Sequence, residues 1–157
     1  MPPITLKERE QLIFQKTLDV IDKNLIFLSK DDIFEICVSV GIYIMFLNKL
    51  RSTKGNSITF TCHYLHQVMP IHKSLEKISR DKCDRHVCRF LKKFMETLKK
   101  FNISVYFLNS TYRYRYVLNR RDVEQLLNID VFLSIIKNLL DKTGRELKLS
   151  LIKLILS

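Results

Sequence analysis

The sequence has few of the residues that build phosphate-binding loops. It contains three glycines in 157 residues, and they are too far apart for a G-x-G-x-x-G or G-x-x-x-x-G-K motif. Such motifs need glycine where the backbone approaches a phosphate closely. We therefore expect no nucleotide cradle of either kind, and the shortage of glycine and proline also excludes collagen-like and linker compositions.

Long apolar runs and secretion signals are missing as well. The longest apolar run covers about 12 residues, 36–47, and is interrupted by Ser39 and Gly41. Spanning a bilayer takes roughly 20 residues. The first residues lack the basic stretch and apolar core of a signal peptide. We therefore expect a chain that is not secreted and has no membrane partner.

The four cysteines form no C-x-x-C pair and no framework typical of a secreted domain. We therefore expect reduced thiols in the cytosol or nucleus. The alternative is a zinc site, whose candidate ligands are Cys62, His63, His66, Cys83, His86 and Cys88. Their spacing matches no zinc finger, so we predict no metal and no cofactor.

The charge is strongly positive. Twenty-seven lysines and arginines against sixteen acidic residues give a formal net charge of +11. Nucleic acid, an anionic membrane face and an acidic protein are all suitable partners for such a chain. A fragment whose acidic part lies elsewhere would have the same excess, so the charge alone does not choose among them.

Residues 81–101 carry the clearest helical pattern, with Ser79 or Asp81 as the cap and Asn102 as the end. The apolar stripe of this helix consists of Val87, Phe90, Leu91, Phe94, Met95, Leu98 and Phe101. Cations occupy the opposite face at Arg85, Arg89, Lys92, Lys93, Lys99 and Lys100. This separation predicts an amphipathic helix that packs on a core and presents its cations outward.

The pattern then alternates. Residues 103–108 and 112–118 predict two strands joined by a turn at Asn109 and Ser110, and residues 57–61 predict a further short strand. In the second strand of this hairpin, tyrosines alternate with Arg113 and Arg115. The arginines can reach a phosphate or a minor groove, or can simply be solvated while the tyrosines pack inward.

Helical periodicity covers most of the remaining chain. It predicts helices over residues 4–28, 30–51 with a cap at Ser29, 62–78 broken or bent near Pro70, 121–127 and 129–141. The apolar tail, residues 145–157, fits a strand and a helix equally well.

The order of elements from residue 30 to 118 is helix, strand, helix, helix, strand, turn, strand, which is the order of a winged-helix domain. We predict a mostly α fold with a small β-hairpin: a winged helix-turn-helix with an extra N-terminal helix and a C-terminal helical extension. One domain of 157 residues contains the N-terminal helix at 1–29, the winged-helix core at 30–119 and the extension at 120–157.

The segment Tyr114–Val123, with the sequence YRYVLNRRDV, resembles the wing strand and following helix start of the C-terminal winged-helix domains of origin-recognition-complex and silent-information-regulator proteins. The resemblance implies a non-catalytic part of a chromatin protein that binds DNA or associates with itself, and hence a nuclear location (or a cytoplasmic one in a cell without a nucleus). The added helix and the apolar tail depart from the family pattern and favour dimerisation.

Three functions follow as hypotheses, of which the third is a basic adaptor for an acidic protein or RNA. The first is a module of a chromatin silencing or replication protein that acts by homodimerisation, with DNA contact as a secondary possibility. Its expected interface consists of Phe132, Ile136, Leu151, Leu154 and Ile155. The alternative for these residues is that the tail folds back on the N-terminal helix and completes the core.

The second hypothesis is a transcription or replication factor that binds duplex DNA directly. Its expected contacts are Arg85, Arg89, Lys92 and Lys93 on the helix and Arg113 and Arg115 on the wing. A solvated helix face would have the same composition.

Catalysis has little support in the sequence. His86 lies near Asp84 and His63 follows Cys62, but adjacency along the chain does not create the geometry of a nucleophile and its base. We predict no enzymatic activity and no small-molecule substrate.

Overall fold

A computed structural model describes residues 6–75, 78, 84–110 and 113–157, with the backbone alone at residues 6, 109, 110, 113 and 114. The chain is mostly helical with a small antiparallel sheet, as predicted. Its helices and strands are α1 (Leu6–Lys23), α2 (Lys30–Ser52), β1 (Ser57–Thr61), α3 (Cys62–Val68), α4 (Arg85–Lys100), β2 (Tyr106–Ser110), β3 (Arg113–Asn119), α5 (Arg120–Leu126), α6 (Ile129–Ile136) and α7 (Arg145–Leu156).

Helix α2 runs through the core. Ser29 and Asp32 cap it reciprocally, each side chain accepting a hydrogen bond from the backbone N–H of the other. By length and composition α2 could span a membrane, since its most apolar 18-residue window has a mean hydropathy of 1.7. However, 72% of that window is buried against the rest of the chain, as expected of the central helix of a folded core.

The sheet places β3 between β1 and β2, and both neighbours run antiparallel to it. The predicted strand at 57–61 and the predicted hairpin are therefore confirmed. The predicted turn is wrong, because Asn109 and Ser110 belong to β2 and pair with β3. The residues between the two strands, 111–112, lie outside the described part of the chain.

Arg120 holds the start of β1 against the end of β3. Its guanidinium donates to the backbone oxygens of Gly55, Leu50 and Thr53, with distances of 2.7 Å to Gly55 and 3.3 Å to Leu50. Its backbone N–H donates to the oxygen of Asn56 at 2.7 Å. Three carbonyl contacts from one cation fix the turn between α2 and β1.

Helix α4 buries its apolar stripe as predicted, from Val87 to Leu98. Phe101 is the exception, because it follows the helix and is 41% exposed. Asp84 caps the helix, whereas the predicted caps Ser79 and Asp81 lie outside the described residues. Asn102 ends it with a left-handed φ of 61°, which confirms the predicted stop.

The predicted interruption of helix 62–78 at Pro70 is confirmed as a break, because α3 ends at Val68 and Pro70 cannot donate the next helical hydrogen bond. Two other predicted helices extend too far toward their C-terminal ends. Helices α1 and α6 end at Lys23 and Ile136.

The tail forms α7, which packs on α1, α2 and α6. This packing corrects the expected dimer interface. Four of its five residues are core residues of the monomer: Phe132 and Ile136 are fully buried, Ile155 is 1% exposed and Leu151 is 7% exposed. Leu154 alone among the five is exposed, at 52%. The fold-back alternative explains the apolar tail, because side chains buried within one chain cannot form a surface.

Candidate nucleic-acid interface

A cleft of about 570 Å³ lies between α4 and the β2–β3 hairpin. One wall is a single face of α4, since its lining residues recur every three or four positions. The cations of that wall are Arg85, Arg89, Lys92 and Lys99. One carboxylate, Glu96, stands among them. Four cations against one anion make this wall attractive to anions.

The opposite wall is apolar and aromatic. Val105 and Phe107 come from the β2 side, and Tyr116 comes from β3. Tyr116 is the cross-strand partner of both Phe107 and the core residue Phe60. The rings of Phe107 and Tyr116 lie 5.4 Å apart between centroids. The sheet thus extends an aromatic row from the core into the cleft.

Three of the predicted DNA contacts, Arg85, Arg89 and Lys92, line this cleft and are exposed. Lys93 is exposed but is not among the lining residues. Lys99 does line the cleft, and the seven-residue step from Lys92 is the sequence signal that could have selected it.

The wing arginines do not join this cluster. Arg115 is exposed, and it neighbours Tyr116 on β3. Because successive strand residues point to opposite faces, Arg115 lies on the face away from the cleft. The side chain of Arg113 lies outside the described part of the chain. The hairpin therefore contributes aromatic rings to the cleft, while the cations come from α4.

Cys62 and Cys88 are joined in a disulfide that connects α3 to α4, with a Cα–Cα distance of 5.4 Å. The expectation of four reduced thiols is wrong for this pair, which also lines the cleft. The sequence does not reveal the bond, because residues 26 positions apart meet only when the two helices pack.

His66 lies next to this disulfide. Ligand atoms of Cys62, His66 and Cys88 lie within 4.8 Å of one another, so these three residues could hold a soft metal ion if the sulfurs were reduced. In the structure the sulfurs are bonded to each other, and Nε2 of His66 accepts a hydrogen bond from the backbone N–H of Asp84 at 2.8 Å. Cys83, a further candidate ligand, lies outside the described residues.

The acid–base candidates take structural positions. Oδ1 of Asp84 accepts hydrogen bonds from the backbone N–H groups of His86 at 2.8 Å and Val87 at 3.3 Å. This carboxylate therefore caps α4 and does not orient the His86 ring. Burial raises the pKa of the Cys37 thiol to about 12, so that side chain stays protonated and is a poor nucleophile.

Comparisons with known proteins find no match to this chain among protein-family models, curated proteins or solved structures. The resemblance to origin-recognition-complex and silent-information-regulator proteins therefore rests on the sequence, and mainly on residues 114–123.

Proposed function

We propose that this chain is a non-catalytic winged-helix domain that binds duplex DNA through α4. The order α2, β1, α3, α4, β2, β3 and the sheet order β1-β3-β2 support this proposal. In such a domain the third helix, here α4, presents its exposed face to DNA and the hairpin stands beside it as the wing.

The observation that carries the proposal is the availability of the cations on α4. Arg85, Arg89 and Lys92 are exposed along one ridge, and none of them forms an ion pair with another residue of the described ranges. In contrast, Arg120 donates hydrogen bonds to backbone carbonyls, and Lys148 forms an ion pair with a carboxylate of the fold. Cations that the fold does not use are the ones that can neutralise phosphates.

Self-association stays a prediction. The burial of four expected interface residues removes its main structural argument, so direct DNA binding is the function that the geometry supports better. A chromatin location is implied by the resemblance alone. Sedimentation of the chain at tens of micromolar distinguishes a monomer from a dimer and so tests self-association.

The experiment is a titration of a labelled duplex of arbitrary sequence with the wild type and two triple variants. The test variant carries Arg85→Glu, Arg89→Glu and Lys92→Glu. The control variant carries Lys54→Glu, Lys137→Glu and Lys142→Glu, three exposed positions that do not line the cleft. Both variants lower the net charge by the same amount, so a difference between them reports position and not total charge.

We expect the test variant to lose roughly 100-fold or more in affinity, since it loses three phosphate contacts and gains repulsion. The control should lose much less. Equal losses would mean a non-specific effect of net charge, and an unchanged affinity in the test variant would exclude α4 as the interface.

A further inference from the structure

The wall of the cleft opposite the cations is suited to a flat apolar group and not to a phosphate. Regular duplex DNA presents phosphates and sugars on its outside and keeps its bases stacked inside. A duplex lying on α4 would therefore satisfy the cations and leave the aromatic wall unused. A nucleic acid with unpaired bases can satisfy both, because an unstacked base has an exposed π-face.

We propose that the cleft binds an unpaired base, so that this protein prefers DNA containing unpaired nucleotides to fully paired DNA. This inference rests on the proposed function and names the substrate of the same site. The base stacks on Phe107, and the phosphates on either side of it lie along Arg85, Arg89 and Lys92.

The exposure of the aromatic row points to this arrangement. Phe60 is fully buried, Tyr116 is 8% exposed and Phe107 is 49% exposed. The first two rings belong to the core and its margin, whereas half of Phe107 faces outward. A large half-exposed ring beside buried ones is the platform on which bases stack in proteins that bind single strands.

The dimensions and charge of the cleft agree with this occupant. Its volume of about 570 Å³ falls within the ~300–1,000 Å³ of sites that enclose small organic groups. All the cations of the cleft lie on the α4 wall, which also holds Glu96 and Met95, and the aromatic rings lie on the opposite wall. This arrangement matches the charged backbone and the uncharged base of one nucleotide. Arginine can also stack on a base.

The test compares an intact duplex with the same duplex carrying a three-nucleotide single-stranded gap. Three proteins are titrated with each probe: the wild type, Phe107→Ala and Tyr106→Ala. Tyr106 is the matched control, because it is an aromatic neighbour on β2, is 68% exposed and does not line the cleft. Phe107→Leu serves as a second variant that keeps an apolar side chain without a ring to stack on.

We expect the wild type to bind the gapped probe roughly 10-fold more tightly than the intact duplex, from one stacked base. Phe107→Ala and Phe107→Leu should lose this preference, so that they bind both probes equally well, while Tyr106→Ala keeps it. Far-ultraviolet circular dichroism checks that each variant is folded.

The outcomes separate the two proposals. Equal wild-type affinity for the two probes would overturn the inference and leave the proposed function standing. A preference that survives in both Phe107 variants would also overturn it. Absence of binding to either probe would overturn the inference and the proposed function together.

Discussion

At the scale of single residues, Lys148 is the clearest case of a charge placed inside the fold. Its side chain is fully buried, and its Nζ bonds to Oε1 of Glu35 and lies 3.3 Å from Oδ1 of Asp32. The same Nζ lies 3.4 Å from the backbone oxygen of Asp141. A buried ammonium with these partners ties α7 to the first turns of α2.

Replacement of Lys148 by methionine should lower the free energy of unfolding by about 3 kcal/mol, because two carboxylates are left in a poorly solvated place without their cation. Urea unfolding followed by circular dichroism measures this free energy of unfolding. Lys153→Met on the same helix is the control, since Lys153 is exposed and its loss should cost less than about 0.5 kcal/mol. Equal stability of the two variants would contradict the assigned role of Lys148.

Asp32 makes stability depend on pH. Burial alone would raise the pKa of this carboxyl, but hydrogen bonds with Ser29 and the charge of Lys148 outweigh burial and lower it below 3.8. A pKa that is lower in the folded state stabilises the fold above the unfolded-state pKa. That stability is lost as the pH falls through the folded-state value.

Asp32→Asn should therefore cost about 1 kcal/mol at neutral pH, and the difference from the wild type should shrink below the ordinary carboxyl pKa of 3.8. Denaturant unfolding at a series of pH values measures it. Asp31→Asn shares the first turn of α2 and is exposed, so it controls for the helix dipole. A penalty for Asp32→Asn that is the same at all pH values would contradict the sign of the shift.

Spacing along the sequence was enough to predict which side of α4 carries Arg85, Arg89 and Lys92. It could not predict the partners of Lys148 or Arg120. Lys148 and Glu35 are 113 positions apart, and a lysine in an apolar tail has the same local pattern whether it is solvated or buried. Such contacts are set by tertiary packing and not by periodicity.

At the scale of elements, α2 and α3 approach each other at a glycine. A Cβ added at Gly41 would lie 2.4 Å from Cβ of Met69 and 3.1 Å from its Cα. These distances are too short for two carbons, so the helix and the segment after α3 would have to move apart. Since Met69 follows directly on α3, Gly41 helps to set how that helix sits on the core.

Gly41→Ala should consequently lower the unfolding free energy by about 2 kcal/mol, although alanine is the better helix former. Thermal and urea unfolding both measure the loss. Ser39→Ala is a control on the same buried helix, because its hydroxyl has no hydrogen-bond partner among the described residues and its removal should be nearly neutral. A Gly41→Ala variant as stable as the wild type would show that the two elements separate without cost.

The elements differ in how far their sequences determine them. Alternation predicted β1 and the hairpin, but polar residues such as Asn109 and Ser110 serve in a strand as well as in a turn, and cross-strand pairing decided between the two. The apolar pattern of residues 145–157 fitted both the alternation of a strand and the periodicity of a helix. Packing against α1 and α2 stabilises the helix.

At the scale of the whole molecule, most of the surplus of apolar residues near the C-terminus is buried within one chain. The number of apolar residues does not reveal how many of them the core of one chain can bury. Phe132 and Ile155 are buried in that core. The surplus of positive charge is divided between the interior and the surface. It is partly used inside the fold, at Arg120 and Lys148, and partly collected on α4 beside a cleft.

The salt dependence of duplex binding tests most directly whether the cations of α4 bind DNA. Each phosphate contact contributes about 0.9 to the slope of log K against log salt concentration. We predict that neutral replacement of Arg85, Arg89 and Lys92 by glutamine reduces the steepness of that slope by about 0.9 for each contact removed. Glutamine at Lys54, Lys137 and Lys142 should leave the slope nearly unchanged. An equal slope for the wild type and the α4 variant would show that these three cations do not contact phosphates.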